Sequence, residues 1–377
     1  MNDILIINTG SKTIKFKVFD QKLNDLLFGT IDDENGVKFL RMGADSTPLS
    51  ESETPFSKIK ELCSKFDISK IGFRIVHGGE TYINPTKLTA EVLTDLERFN
   101  DFAPLHNPMA LKVISEFRKV YPSVDFYGIF DTSFHQTIKP EQFLYGLPYE
   151  YYEKYQVRRY GFHGISHKYV SQKFSELEPG ANRVISCHLG SGSSVTAIVD
   201  GKSFDTSMGF TPLEGLIMTT RPGDVDDGAL LYIQQAEHLT DAEIADIENN
   251  KSGLLGISGI SFDMRTLLDE AGKGNSRANL AVDMFVYRAK KYIGSYIAAM
   301  GGVDGLIFTA GIGAGSDVIR SRIIAGLDFA GLKISPDLND GKIDVATPLK
   351  ISSTDSKPIW VIPTDEEYQI AKEINNL

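Results

Sequence analysis

The sequence predicts an α/β protein made of two related halves with a cleft between them, and three observations lead there. The chain opens with an apolar strand, a polar turn and a second strand, and the same order of elements returns after residue 183. Gly/Ser-rich turns follow apolar strands at three places, spread over both halves. Strand-like runs alternate with stretches of helical periodicity, the pattern that builds sheets flanked by helices.

Ile4-Leu5-Ile6-Ile7 is a continuous apolar run, as in a strand covered on both faces. Asn8-Thr9-Gly10-Ser11 has turn chemistry. Ile14, Phe16 and Val18 then alternate with Lys15 and Lys17, which predicts a strand with one apolar face. In the second half the strand is Val184-Ile185-Ser186-Cys187, residues 188–194 are the Gly/Ser turn, and Val195, Ala197 and Val199 belong to the alternating second strand. Apolar spacing predicts helices over 108–120 and 279–300, and strands over 124–129, 306–309 and 359–362. A third turn, 311–316, leads into a helix through Val318, Ile319 and Ile323. A last helix begins at Thr364, with Asp365, Glu366 and Glu367 in its first turn, where the helix dipole favours acids. Residues 150–160, rich in tyrosine and charge, read as a connector between the halves.

Among 377 residues, 50 are acidic and 39 basic, for a formal charge of −11. That balance argues against a general nucleic-acid binder, which needs basic surplus to displace counterions, but leaves room for a local basic pocket. Cys63 and Cys187 are the only cysteines, too few for a disulfide framework and in keeping with a reducing cytoplasm. The first residues lack the basic start of a signal peptide. No apolar run approaches the roughly 20 residues that span a bilayer, so membrane insertion is not expected.

A Gly/Ser turn can aim several backbone N–H groups at an anion, and glycine lets the backbone come close. Three such turns in one duplicated α/β chain predict phosphate binding. The P-loop pattern G-x-x-x-x-G-K-[ST] and the dinucleotide fingerprint are both absent, which argues against a P-loop enzyme or a dehydrogenase. Arg74, ahead of Gly78-Gly79, and Arg221, ahead of Gly223, are suited to fork onto an oxyanion; the alternative for each is a surface ion pair. His163, between Phe162 and Gly164, serves chemistry or a structural hydrogen bond. No H-E-x-x-H spacing occurs, so a zinc hydrolase is not expected. Cys187 lies within a strand run and reads as packed rather than nucleophilic.

Taken in order, residues 7–11, 74–80, 103–108, 130–135, 160–167, 187–196, 205–215, 252–259 and 363–367 make the chain resemble the acetokinase family, within the actin-like, sugar-kinase-like and Hsp70-like phosphotransferase superfamily. The resemblance spans essentially the whole chain. It implies two duplicated RNase H-like lobes, the actin-like ATPase fold, with an interdomain cleft. The N-terminal lobe would be 1–146 joined by a C-terminal helix, 366–377, and the nucleotide-binding lobe 147–365. The implied reaction is reversible, magnesium-dependent phosphoryl transfer from ATP to acetate, giving acetyl phosphate and ADP, with manganese as a substitute ion. A cytoplasmic homodimer is implied, with no nucleic-acid or membrane partner. Propionate or butyrate as acceptor, or another nucleoside triphosphate or pyrophosphate as donor, are the alternatives. A nucleotide-switched binding or filament protein on the same fold would lack the acyl-substrate residues.

The resemblance also assigns roles. Asn8 and Glu366 help hold the metal, and Lys15 lies by the nucleotide phosphates. Arg74 binds the carboxylate, and Arg221 and His163 stabilise the transferring group. Asp131 is the residue usually given as catalytic acid or base. A carboxylate nucleophile needs no deprotonation, so an orienting role toward Arg221 or the metal's surroundings suits Asp131 better. Val76, Leu105, Phe162 and Pro212 form the apolar pocket for the substrate's alkyl group. His188, Leu189, Gly190, Ser191 and Gly192, then Asp263, Met264 and Arg265, then Gly311, Ile312, Gly313, Ala314 and Gly315, make up the nucleotide-binding segments. The chain departs from the usual pattern at Lys12, Ser191, Thr219, Pro222 and Asp227. The third turn ends Gly313-Ala314-Gly315, where Gly-Glu-Asn is usual.

Overall fold

The computed structural model describes residues 2–10, 13–34, 36–50, 52–104, 106–340 and 347–377. The chain divides into two compact units, Met1–Gln136 with Asp365–Leu377, and Thr137–Thr364.

The first unit is built on an eight-stranded sheet. Its strands are β1 (Asp3–Thr9), β2 (Thr13–Phe19), β3 (Asp25–Glu34), β4 (Val37–Met42), β5 (Asp45–Pro48), β6 (Ile68–Ile75), β7 (Thr86–Lys87) and β8 (Asp125–Phe130), in the order β5-β4-β3-β2-β1-β6-β8-β7. β1 to β3 form an antiparallel meander, and β6 and β8 run parallel to β1. Ile4 to Ile7 are buried on both faces, as their unbroken apolar run requires. Each such side chain contributes about 1.5–3 kcal/mol on burial. The helix Asn107–Val120 covers one face, with Phe117 edge-on to Phe73 at 5.7 Å.

The helix Glu366–Asn375 returns to this sheet from the far end of the chain. Ile370, Ala371 and Ile374 are fully buried in it. A Cβ on Gly72 of β6 would lie 2.8 Å from Ile370 Cγ2 and 2.9 Å from Ile374 Cδ1, so the helix can seat here only over a glycine. Asp365 caps its first turn by accepting the Tyr368 N–H, and Lys70 Nζ donates to the Ile374 and Asn375 carbonyls at the other end.

The second unit carries a six-stranded sheet of β9 (Arg183–Leu189), β10 (Ser193–Val199), β11 (Lys202–Thr206), β12 (Gly305–Thr309), β13 (Leu349–Lys350) and β14 (Ile359–Val361). The order is β11-β10-β9-β12-β14-β13. β9 to β11 are an antiparallel meander, and β12 and β14 run parallel to β9. The five strands β3-β2-β1-β6-β8 and β11-β10-β9-β12-β14 therefore repeat one topology, that of an RNase H-like lobe, and the duplication read from the sequence is real. The long helix Ser276–Ala299 presents Ala278, Ala281, Val282, Phe285, Ala289, Ile293 and Tyr296 to the core at three- and four-residue spacing.

Several expectations need correction. Residues 150–160 do not connect the units: Glu150–Tyr155 is a helix inside the second unit. The first crossing lies at Gln136/Thr137, ahead of the expected 146/147. Residues 137–146 pack with the second unit, since the Arg158 guanidinium sits 3.5 Å from the Phe143 ring centroid and the Arg159 N–H donates to the Phe143 carbonyl. Residues Ala310–Gly315 are a short helix rather than a turn. Val195, Ala197 and Val199 do not alternate with exposed neighbours, because Thr196 and Ile198 are buried as well, Thr196 through a 2.9 Å hydroxyl contact to Thr206. Lys17 is not on a solvent face; it is 7 % exposed and paired with Asp365 at 2.7 Å and Asp25 at 2.9 Å.

Gly72→Ala forces a methyl against three side chains, and it should lower stability by about 1–3 kcal/mol. Gly294→Ala, in the interior of the helix Ser276–Ala299 with open space around it, should raise stability by about 0.4–1 kcal/mol. Urea unfolding midpoints of the two variants check both signs.

Candidate functional site

The carboxyl ends of the parallel strands carry the predicted residues in both units, where open α/β sheets place their ligand chemistry. In the first unit Asn8 ends β1, Arg74 ends β6, and Asp131 follows β8. Asp131 is fully buried, and its backbone N–H is tied to the Ile75 carbonyl. Arg74 donates from Nε to Asp131 Oδ2 at 3.0 Å and from Nη2 to the same oxygen. Burial pulls the Arg74 guanidinium down, but Asp131, Glu366 and Glu367 outweigh it and hold it above its ordinary value. Asp131 thus holds the Arg74 guanidinium in place.

Asn8 Nδ2 donates to Glu366 Oε2 at 2.9 Å and Glu367 Oε1 at 2.8 Å, while Asn8 Oδ1 accepts from Arg74 at 3.4 Å. Burial and the neighbouring Glu366 push the Glu367 carboxyl above the ordinary range, against the pull of Lys15 and Asn8. Lys15 lies on β2 directly across from Asn8 and is exposed. Crowded carboxylates beside an amide make an oxygen-only donor set that fits a hydrated divalent cation. Among the described residues no three His, Cys, Asp or Glu side chains group to enclose a metal, so such an ion would be held largely through water. Val76 is buried just after β6, whereas Leu105 lies outside the described residues. His77, next in the chain, is structural: it accepts the Gly79 N–H, and burial pushes it down to about 3.

In the second unit His188 and Leu189 end β9, and Gly190, Ser191 and Gly192 turn into β10. The Gly190 N–H closes this turn on the Gly192 carbonyl at 3.1 Å, so it is spent within the loop. The Ser191 carbonyl accepts from the Thr219 N–H and hydroxyl. A Cβ on Gly192 would lie 2.9 Å from Arg221 Nη2 and 3.0 Å from His163 Nε2. Glycine therefore opens the space onto which both groups converge.

Arg221 sits on the loop between β11 and the helix Asp227–Ala236. Gly253 underlies it: a Cβ there would meet the Arg221 carbonyl at 2.7 Å. The guanidinium donates to the Pro212 carbonyl at 2.9 Å, and among the described residues no carboxylate pairs with it. Burial alone pushes its pKa down to about 10, which leaves it cationic at neutral pH. A cation partly withdrawn from water with no carboxylate beside it is a favourable place for an anion. His163 caps the helix Gly164–Leu177 at φ +57°, stacked 4.2 Å from His188 and with Nδ1 2.9 Å from Ser194 Oγ. Phe162 is buried just before it.

The third segment abuts the first: a Cβ on Gly190 would touch Ala310 Cβ at 3.5 Å, and one on Gly313 the Cys187 carbonyl at 3.5 Å. Arg320, fully buried, donates to the Gly313 and Ala314 carbonyls and fixes the end of the short helix. Ile312 packs against the core, and Gly311 and Gly315 face open space. Asp263 caps the helix Met264–Gly272 and pairs with exposed Arg265 at 2.6 Å; the Met264 side chain goes to the core. Leu189, Met264 and Ala314 are all buried, so what they can offer a ligand is backbone.

Sequence reasoning passed over Glu367, Lys17, His167 and Ser194. His167 had a signal, since it falls four residues after His163 and so on the same helix face. Glu367 had only its place in an acidic first turn, and nothing local marks Lys17.

A profile of the Acetokinase family matches residues 3–372. The chain is 45% identical over 392 residues to the acetate kinase of Dictyoglomus thermophilum, covering 98% of each. It superposes on the acetate kinase of Porphyromonas gingivalis with a TM-score of 0.90 at 38% identity, covering 99% of this chain and 98% of that one. A propionate kinase from Francisella tularensis matches with a TM-score of 0.93 at 36% identity, over 100% of both chains. Sequence and backbone agree from end to end with the repeated strand order, and the chain belongs to the acetokinase family, with its duplicated actin-like ATPase fold.

Proposed function

We propose that the protein is an acetate kinase, transferring the γ-phosphoryl group of ATP reversibly to acetate. The observation that carries this is Arg221, a half-buried guanidinium with no carboxylate on it among the described residues, converging with His163 over Gly192. A carboxylate oxygen of acetate attacks the γ-phosphorus as the bond to the ADP oxygen breaks, and negative charge spreads over the three equatorial oxygens. Arg221 and His163 donate to those oxygens. Arg74, held by Asp131, takes the acetate carboxylate, which is ionised at neutral pH and needs no base. Val76, Phe162 and Pro212, with Leu105 outside the described residues, are the side chains this reading assigns to the methyl group, for which shape and dryness suffice. Lys15 faces the phosphates, and the segments 188–192, 263–265 and 311–315 hold the nucleotide. Magnesium, or manganese in its place, neutralises phosphate charge when bound, with Asn8 and Glu366 holding it.

Two further assignments accompany this reading. The helix Asp227–Ala236 buries none of its residues and leaves Leu231, Tyr232 and Ile233 exposed, which supports a homodimer covering that face. A cytoplasmic location suits two buried free thiols, Cys63 and Cys187, both pushed up by burial. No helix among the described residues is long and apolar enough to cross a membrane.

Hydroxylamine trapping of the acyl phosphate, with acetate, propionate and butyrate compared, tests the activity; the likeness to a propionate kinase makes propionate the informative rival. Arg221→Ala should lower kcat by about two to five powers of ten, as loss of a transition-state arginine does. Arg74→Ala should chiefly raise the KM for acetate, because its contact is made in the ground state too. Folded variants with wild-type kinetics would remove this assignment.

The donor site has its own expected outcome. Ala314 is buried and Gly315 has no side chain, so neither offers a hydrogen bond to base or ribose. Each missing polar contact is worth about 1 kcal/mol. GTP should therefore be used within about tenfold of ATP in kcat/KM. A preference for ATP beyond about a hundredfold would show that Asp263 and Arg265 read the nucleoside without help.

A further inference from the structure

Behind His163 lies a chain of hydrogen bonds whose protons cannot be arranged independently. His163 Nδ1 is 2.9 Å from Ser194 Oγ, and the same oxygen is 2.8 Å from His167 Nε2. His167 Nδ1 is 2.9 Å from Ser186 Oγ. His167, Ser186 and Ser194 are fully buried. His163 caps the helix Gly164–Leu177, and His167 lies in its first turn with its backbone N–H donating to the His163 carbonyl at 2.9 Å. Its entry is bent to place the first ring, since a φ of +57° is uncommon for any residue but glycine. His188, stacked on His163, is itself anchored by Ser166 Oγ at 2.8 Å.

Ser194 has a single hydroxyl proton, so it donates to one imidazole and accepts from the other. With both rings neutral, two arrangements satisfy the chain. In one, Ser194 donates to His163 Nδ1 and accepts from His167 Nε2–H, while Ser186 donates to His167 Nδ1; both rings then carry their proton on Nε2. In the other every bond is reversed and both carry it on Nδ1. The tautomer of one ring dictates that of the other.

We infer that His167, acting through Ser194, is a positioning residue that fixes His163 as the Nε2–H tautomer. This rests on the reading that His163 and Arg221 hold the transferring phosphoryl group. Arg221 can only donate, and its Nη2 and His163 Nε2 approach the same point above Gly192. A lone pair at Nε2 would face the phosphoryl oxygens with like charge, whereas an N–H gives them a second donor. A neutral imidazole locked in this form donates without becoming an imidazolium, so its contribution does not fade above the histidine pKa. The protein sets this up with buried hydroxyls instead of the carboxylate that orients many catalytic histidines.

Long-range 1H–15N correlation spectra of the full chain, labelled with 15N at histidine alone, report which ring nitrogen carries the proton. His163→Gln and His167→Gln variants assign the signals. At pH 8 the expected result is Nε2–H on both rings, with inorganic phosphate shifting His163 Nε2 and leaving both tautomers in place. Opposite tautomers on the two rings, or Nδ1–H on both with phosphate bound, would overturn the inference. Both rings as Nε2–H with no response to phosphate would uphold the linkage and refute the phosphoryl reading. In Ser194→Ala the two rings should each become tautomer mixtures, and kcat should fall by at least about tenfold with the KM for acetate little changed. Ser194→Thr, which keeps the hydroxyl, should restore both the spectra and the rate.

Discussion

Among the described residues one half-buried positive charge has no carboxylate on it, and the second unit's loops are built around it. Two half-buried arginines make the contrast plain. Arg74 has Asp131 on its guanidinium and acids nearby, so its charge is compensated and its orientation fixed. Arg221 has a carbonyl in place of a carboxylate, and its ionisation is weakened by the loss of water. A half-buried cation with no carboxylate on it is a cost that rigid surroundings help a fold to bear. The rigidity has visible sources. Gly215, Gly223 and Gly253 each sit at positive φ where a Cβ would come within 2.7 Å of a neighbouring carbonyl, so the loop that bears Arg221 is laid backbone on backbone.

Duplication explains why chemistry appears at strand ends in both units, and divergence explains why the chemistry differs. Asn8-Thr9-Gly10 and His188-Leu189-Gly190 occupy the same place, at the end of the first strand of each meander. In the first unit that place is ringed by carboxylates and Arg74, so acids dominate it. In the second it is ringed by histidines, hydroxyls and Arg221, with no acid on the guanidinium among the described residues. One scaffold solution, the open ends of parallel strands, serves two charge environments.

Most of this was legible in the sequence, and the exceptions share a cause. Continuous apolar runs located β1, β9 and β12 because strands covered on both faces leave that trace, and the three-and-four spacing of the helix Ser276–Ala299 is equally direct. Residues 310–315 read as a turn because their three glycines oppose helix formation by about 1 kcal/mol each. They form a helix because Arg320, from the next helix, takes the carbonyls of Gly313 and Ala314. Lys17 read as a solvent residue because alternation is a local signal, and the acids that bury it come from the neighbouring strand and from residue 365. Glu367 and Ser194 went unmarked for the same reason: their partners are distant in sequence. The separation of 150–160 from any linker role likewise depends on Arg158 and Arg159 reaching back to Phe143.

The return of the helix Glu366–Asn375 to the first sheet has a consequence for how the molecule is made. At ribosomal rates of roughly 5–20 residues per second, residues 1–136 wait on the order of 10–50 s for the segment that completes them, because Thr137–Thr364 must be synthesised in between. During that interval the sheet around Gly72 and Ile6 lacks the side chains of Ile370 and Ile374 that close it. The second unit completes only with β14, a few seconds before the closing helix itself is made. Through most of the interval the first unit therefore stands open beside a lobe still being synthesised, with an apolar strip of strand β6 as the natural target for a chaperone.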